Sequence, residues 1–189
     1  MKKFLTIIGI CSAAVAYSQA GTFILNNYSP YNFNGAIIAA NPSPTGGTCY
    51  PLVSSSNPNP LVIPADSHMG NGLELKMDNY KDQYPNSLYP IMTWDVSTSA
   101  TNQGIPRAWN HPAVMPGGTV SNNTKWAGSK FYMTDPATGT SIPLFNANIA
   151  VAGTCNSAAV PDYYVCPSGS AEMFTISSGP NTITYFNIF

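Results

Sequence analysis

Apolar positions in this chain come in short runs, separated by proline, glycine and asparagine. The runs are TFILNNY (22–28), FNGAIIAA (33–40), LVIP (61–64), LELKMD (73–78), YPIMTWDV (89–96), SKFYMT (129–134), TSIPLFN (140–146), ANIAVA (147–152), AEMFTI (171–176) and NTITYFNIF (181–189). In several of them apolar and polar residues alternate, which in extended backbone puts them on opposite faces. No long window keeps apolar residues at i, i+3, i+4 and i+7 without an interrupting proline or glycine, of which there are 17 and 15; helix is therefore not expected. Many short strands between turn residues predict an all-β chain: a single antiparallel β-sandwich, Greek-key or jelly-roll in style, with long loops.

Several local readings follow from the same pattern. SKFYMT and TSIPLFN flank Asp135-Pro136-Ala137-Thr138-Gly139, where proline fixes φ early and glycine can take a left-handed conformation, so a hairpin is expected. Pro143 in the return strand has no N–H, which predicts a sheet edge or a bulge there. In LELKMD, Leu73, Leu75 and Met77 alternate with Glu74, Lys76 and Asp78, so the charges read as the wet side of a half-buried strand. The loop that follows misses the calcium-loop pattern, because Tyr80 stands at a ligand position and the glycine and closing glutamate are absent. Trp94, alternating with Met92 and Val96, is expected in the core. Residues 41–60, rich in proline, serine and asparagine, read as a surface excursion.

The chain opens with Lys2-Lys3, then the apolar run FLTIIGICSAAVA (4–16), then Ser18-Gln19-Ala20. This is the pattern of a secretory signal peptide, 1–20, cleaved after Ala20. Cys11 lies inside the apolar run behind Ile10, which does not suit a lipid anchor. A mature chain of 21–189 forms one domain, secreted or periplasmic, with no transmembrane segment. Without the two leading lysines it holds five basic and eight acidic residues, a net charge of −3. With no basic cluster, nucleic acid is excluded as a partner. Charged residues are 8% of the sequence, and polarity comes instead from serine, threonine and 19 asparagines. Abundant aromatic residues with so little net charge predict a folded chain with a neutral polar surface.

Of the three cysteines in the mature chain, Cys155 and Cys166 are close enough in sequence to clip TCNSAAVPDYYVC, and the expected disulfide is Cys155–Cys166. Cys49 with either partner stays open. A Cys49 thiol beside His68 or His111 would make a nucleophilic dyad; the blander reading is a buried or bonded cysteine. The G-x-S-x-G motif is missing, two separate histidines give no zinc spacing, and no cofactor or metal is expected.

The segment GIPRAWNHPAVMPGGTVSNNTKWAG (104–128) carries the strongest candidates. It holds the only arginine, two of three tryptophans and His111. Trp109 and Trp126 can offer flat faces to a sugar ring, Asn110, Asn122 and Asn123 can bond hydroxyls, and Arg107 can stack on an aromatic ring. The predicted ligand-binding set is Arg107, Trp109, Asn110, His111, Asn123 and Trp126. The alternative for each tryptophan is core packing.

The stretch FILNNYSPYNF (23–33), an apolar strand followed by Asn-Asn and Ser, resembles the start of the aegerolysins, and more broadly the chain is similar to short secreted bacterial β-sandwich proteins. The first resemblance covers about a dozen residues and implies lipid binding. The second carries no functional residues. The expected function is therefore a secreted, non-catalytic recognition module for carbohydrate or another cell-surface component, with a lipid-binding protein or a secreted hydrolase as the alternatives.

Overall fold

The computed structural model describes residues 20–43, 48–55, 59–83, 88–155, 159–178 and 181–189. The expected signal segment, apart from Ala20, lies outside the described residues. The described residues contain fourteen strands and no helix. They are β1 (Thr22–Asn27), β2 (Asn32–Ala40), β3 (Leu52–Ser54), β4 (Leu61–Ile63), β5 (Leu75–Asp78), β6 (Lys81–Asp82), β7 (Thr93–Ser97), β8 (Ile105–Ala108), β9 (Lys125–Thr134), β10 (Ser141–Ala150), β11 (Val160–Pro161), β12 (Tyr163–Cys166), β13 (Gly169–Ser178) and β14 (Asn181–Ile188).

Two sheets pack face to face. The smaller runs β12-β13-β14-β1-β5-β6, and the larger β11-β10-β9-β2-β3-β7-β8, with β4 paired to β2 beside β3. The sheets are mixed, which corrects the antiparallel expectation. β1 lies parallel to β14 over six residue pairs, Thr22↔Ile183 to Asn27↔Ile188, and β10 lies parallel to β11. The chain leaves the small sheet after β1 and re-enters it for good at β12, so its closing strand is laid beside its first one.

Alternation decides the core. Phe23 and Leu25 of β1, Leu75 and Met77 of β5, and Phe186 and Ile188 of β14 face inward and are buried. From the large sheet they meet Phe33, Ile37, Trp94, Val96, Phe131 and Met133, equally buried. The aromatic residues gather in two groups. Phe33, Phe131, Phe145 and Phe186 pack with ring centroids 5.5–6.2 Å apart at one end. Phe23, Tyr80, Trp94 and Trp126 pack at 5.1–5.9 Å at the other. Gly35 is needed inside the first group, since a Cβ there would come within 2.8 Å of the Phe33 ring and 2.5 Å of the Lys130 carbonyl.

The expected hairpin forms. Asp135 N donates to Thr140 O, and Gly139 has φ +71°. The register between β9 and β10 breaks between Ser141 and Asn146, which is the bulge expected at Pro143. Two alternations stop early. β7 begins at Thr93 and β5 at Leu75, so Met92 and Leu73 precede their strands and are exposed, while Trp94, Val96, Leu75 and Met77 are buried.

The disulfide joins Cys49 to Cys155, not Cys155 to Cys166, and Cys166 is a free thiol. The short-loop preference loses because β12 carries Cys166 into the small sheet, whereas Cys155 follows β10 of the large sheet. Cys49 reaches Cys155 from the 41–60 excursion, which leaves the end of β2 close by: Asn41 N donates to the carbonyls of Cys49 and Pro51.

At the β1–β2 corner sits Asn27, wholly buried. Its Nδ2 donates to Tyr31 O (2.7 Å) and Pro64 O (2.8 Å), and its Oδ1 accepts from Ser29 Oγ (2.7 Å). One amide thus satisfies main-chain groups from the end of β1, the start of β2 and the end of β4, and a buried network of this kind holds only when complete. Asn27→Leu is expected to lower unfolding free energy by about 3 kcal/mol in urea titration. Removing the 106-residue closure with Cys49→Ala and Cys155→Ala is expected to cost about 3–5 kcal/mol, and Cys166→Ala far less; peptide mapping without reductant should recover the Cys49–Cys155 pair.

Candidate functional site

The residues selected from the sequence are built mostly into structure. Trp126, on β9, is 3% exposed, and its Nε1 donates to Gly21 O at 3.0 Å. It is a core residue and offers no face to a ligand, which corrects its place in the predicted set. Trp109 is half-buried against the core, with the Lys81 ammonium 5.1 Å from its ring centroid. Arg107 stands opposite Trp94 in the β7–β8 register and is half-buried. His111 Nδ1 accepts from Ala113 N at 3.1 Å, and Asn123 Nδ2 donates to Thr119 O at 2.7 Å. Asn110 is exposed. Far from forming a sugar platform, Trp109 and Trp126 are separated, one at the margin of the sandwich and one inside it.

What the 109–124 segment does instead is close one end of the sandwich. Val114 and Val120 are buried in the core, and Ser121 and Thr124 are buried with them. Thr124 Oγ1 donates its only proton to Val120 O at 2.9 Å, so its bond with Tyr80 is one in which the Tyr80 hydroxyl donates. Burial pushes the Tyr80 phenol well above its usual value.

The histidine and cysteine chemistry considered from the sequence also resolves into structure. Cys49 is spent in the disulfide, so the thiol–imidazole dyad falls. His68 stacks on Tyr28 at 4.4 Å, bonds Asp66 through Nε2 at 3.1 Å and accepts Gly70 N on Nδ1 at 3.0 Å. Among the described residues no group of three or more His, Cys, Asp or Glu is placed to hold a metal ion.

A larger concave feature lies elsewhere, on the outer face of the large sheet. β4 pairs with β2 at residues 33–35 and β3 pairs with it at 38–40, leaving a gap beside Ala36. The main chain at Gly35 and the methyl of Ala36 form the floor of a trough of about 920 Å³. One wall carries Lys130 and Tyr132 of β9 with Asn146 and Asn148 of β10; the other carries Ser54 and Pro60. The register sets the rows: Asn146↔Tyr132↔Asn34 and Asn148↔Lys130↔Ala36. Tyr132 is 40% exposed, Lys130 and Asn146 are exposed, and the half-buried Asn148 has an Oδ1 with no hydrogen-bond partner among the described residues. Among the described residues no carboxylate lines the trough. Two smaller depressions flank it, of about 360 Å³ and 440 Å³, one sharing Pro60 with it and the other sharing Ile38.

Sequence reasoning missed this site although a signal was present. In SKFYMT the buried Phe131 and Met133 fix Lys130 and Tyr132 on the opposite face, and the same parity turns Asn146 and Asn148 outward. A volume of this size, an aromatic ring and converging amides are the usual make-up of a small-ligand site.

A scan against protein-family models, a search of curated proteins and a search of solved structures find no match to this chain.

Because the native chain holds the Tyr80 proton while the unfolded chain releases it near pH 10, stability is intact below that pH and falls as pH rises above it, by about 1.4 kcal/mol per unit from this group alone. Tyr80→Phe is expected to flatten the alkaline limb of a stability–pH profile, while costing about 1 kcal/mol at neutral pH through the lost bond to Thr124.

Proposed function

We propose that this protein is an exported, non-catalytic recognition module that binds a carbohydrate chain in the trough on its large sheet. The observation that carries the reading is the wall of the trough: an exposed tyrosine ring in register with two amides and a lysine, with no acid beside them. A sugar presents an apolar ring face and a rim of hydroxyls, which an aromatic side chain and amide groups complement. Three depressions meeting at Pro60 and Ile38 favour an oligosaccharide over a single sugar unit. Lys130 adds tolerance for a sugar acid.

Export is part of this reading. The leader-like 1–20 segment supports it, and the Cys49–Cys155 bridge suits an oxidising compartment. Among the described residues no helix is long and apolar enough to cross a membrane.

Affinity electrophoresis or pull-down on a polysaccharide panel tests the proposal. Tyr132→Ala is expected to weaken retention about tenfold or more, equivalent to roughly 1.4 kcal/mol, whereas Trp109→Ala leaves it unchanged. Absence of retention on every glycan, together with flotation on liposomes, would replace the sugar by a lipid.

A further inference from the structure

An open sheet ends in strands whose main-chain groups can pair with a foreign strand, and natural sheets blunt these edges with charge, proline or brevity. Among the described residues five strands are bonded on one side only, and four of them are blunted in this way. β4 has three residues, set between Pro60 and Pro64. β6 has two residues, Lys81 and Asp82, both charged. β8 carries Pro106 and Arg107. β11 has two residues and ends in Pro161. The fifth, β12, reads Tyr163-Tyr164-Val165-Cys166, with neither charge nor proline and with three residues that favour strand.

The ladder shows which groups of β12 point outward. Met173 N donates to Asp162 O at 2.7 Å, and Tyr164 and Cys166 stand opposite Ala171 and Gly169. On the far side of β13, Ser170 exchanges both main-chain bonds with Phe189. Antiparallel alternation then turns the main-chain groups of Tyr163 and Val165 away from β13, to the open side. Their side chains are 55% and 60% exposed, and Phe174 and Ile176 of β13, exposed on the same outer face, extend the apolar surface.

We infer that β12 is a self-association edge, where two copies pair β12 with β12 antiparallel about a two-fold axis and join two six-stranded sheets into one of twelve. A two-fold contact sets each charge near its own copy, and this strand has none. The nearest acid on the same face, Glu172, is held by Asn187 Nδ2 at 2.8 Å. Four residues of ladder and roughly a few hundred Å² of apolar surface fall short of the roughly 800 Å² per partner of a stable dimer, so the pair forms reversibly and is filled only at high concentration.

Sedimentation velocity on the mature chain over a wide concentration range should show a monomer–dimer equilibrium. Val165→Lys is expected to weaken it about tenfold or more with an unchanged circular dichroism spectrum, and Val62→Lys, at an exposed strand position on the other sheet, should leave it intact. Amide hydrogen exchange gives a readout without substitutions: Tyr163 and Val165 should gain protection as concentration rises. A chain that stays monomeric throughout, or one that dimerises without added protection at these amides, overturns the inference. Glycan retention by the monomer is unaffected either way, so this result and that of the trough are separable.

Discussion

Two indole N–H groups fix how the sheets sit on one another. Trp94 and Trp126 belong to the large sheet, and their donors reach carbonyls of the small one, Tyr80 O and Gly21 O, each at 3.0 Å. Apolar contact between two layers is nearly indifferent to direction, so sliding by a fraction of a residue costs little dispersion energy. A buried donor that loses its acceptor costs about 1–3 kcal/mol, and here two donors on different strands would lose theirs together. Gly21 O also accepts Asn79 N at 2.9 Å, so the same carbonyl ties β1, the turn after β5 and the large sheet. The aromatic group around Tyr80 and the segment that closes over it depend on this alignment.

Much of the architecture was legible because its cause is local. The alternation in SKFYMT, the DPATG turn and the proline in TSIPLFN each act over fewer than ten residues, and each gave the element that forms. The parallel pairing of β1 with β14 was not legible, since it depends on where the chain goes in the intervening 150-odd residues. The disulfide failed for the same reason: nearness in sequence favoured Cys155 with Cys166, but a sheet change at Asp162 parts them and the excursion brings Cys49 across. Short strands such as β3, β8 and β12 carry too few residues for a period to be read.

The sequence pointed to 104–128 for an instructive cause. Tryptophan and histidine drew attention to 104–128 by being rare, yet rarity says nothing about which way a side chain faces. Trp126 is buried and serves the core, and Asn122 and Asn123 donate their amide N–H groups within their own turn. The trough arises from the short side chain of Ala36 and from two strands sharing one neighbour. Neither feature has a residue signature, although the outward parity of Lys130, Tyr132, Asn146 and Asn148 does.

The neighbourhood of β1 and β14 has a mechanical meaning. The strands run in the same direction, so tension applied at Gly21 and at Phe189 would pull them past each other along their length. All six rungs would then carry the load at once, where a hairpin pulled from its open end yields one rung at a time. The covalent ring from Cys49 to Cys155 would hold most of the large sheet out of the line of force. A polypeptide arranged in this way is suited to staying folded when pulled from its two ends.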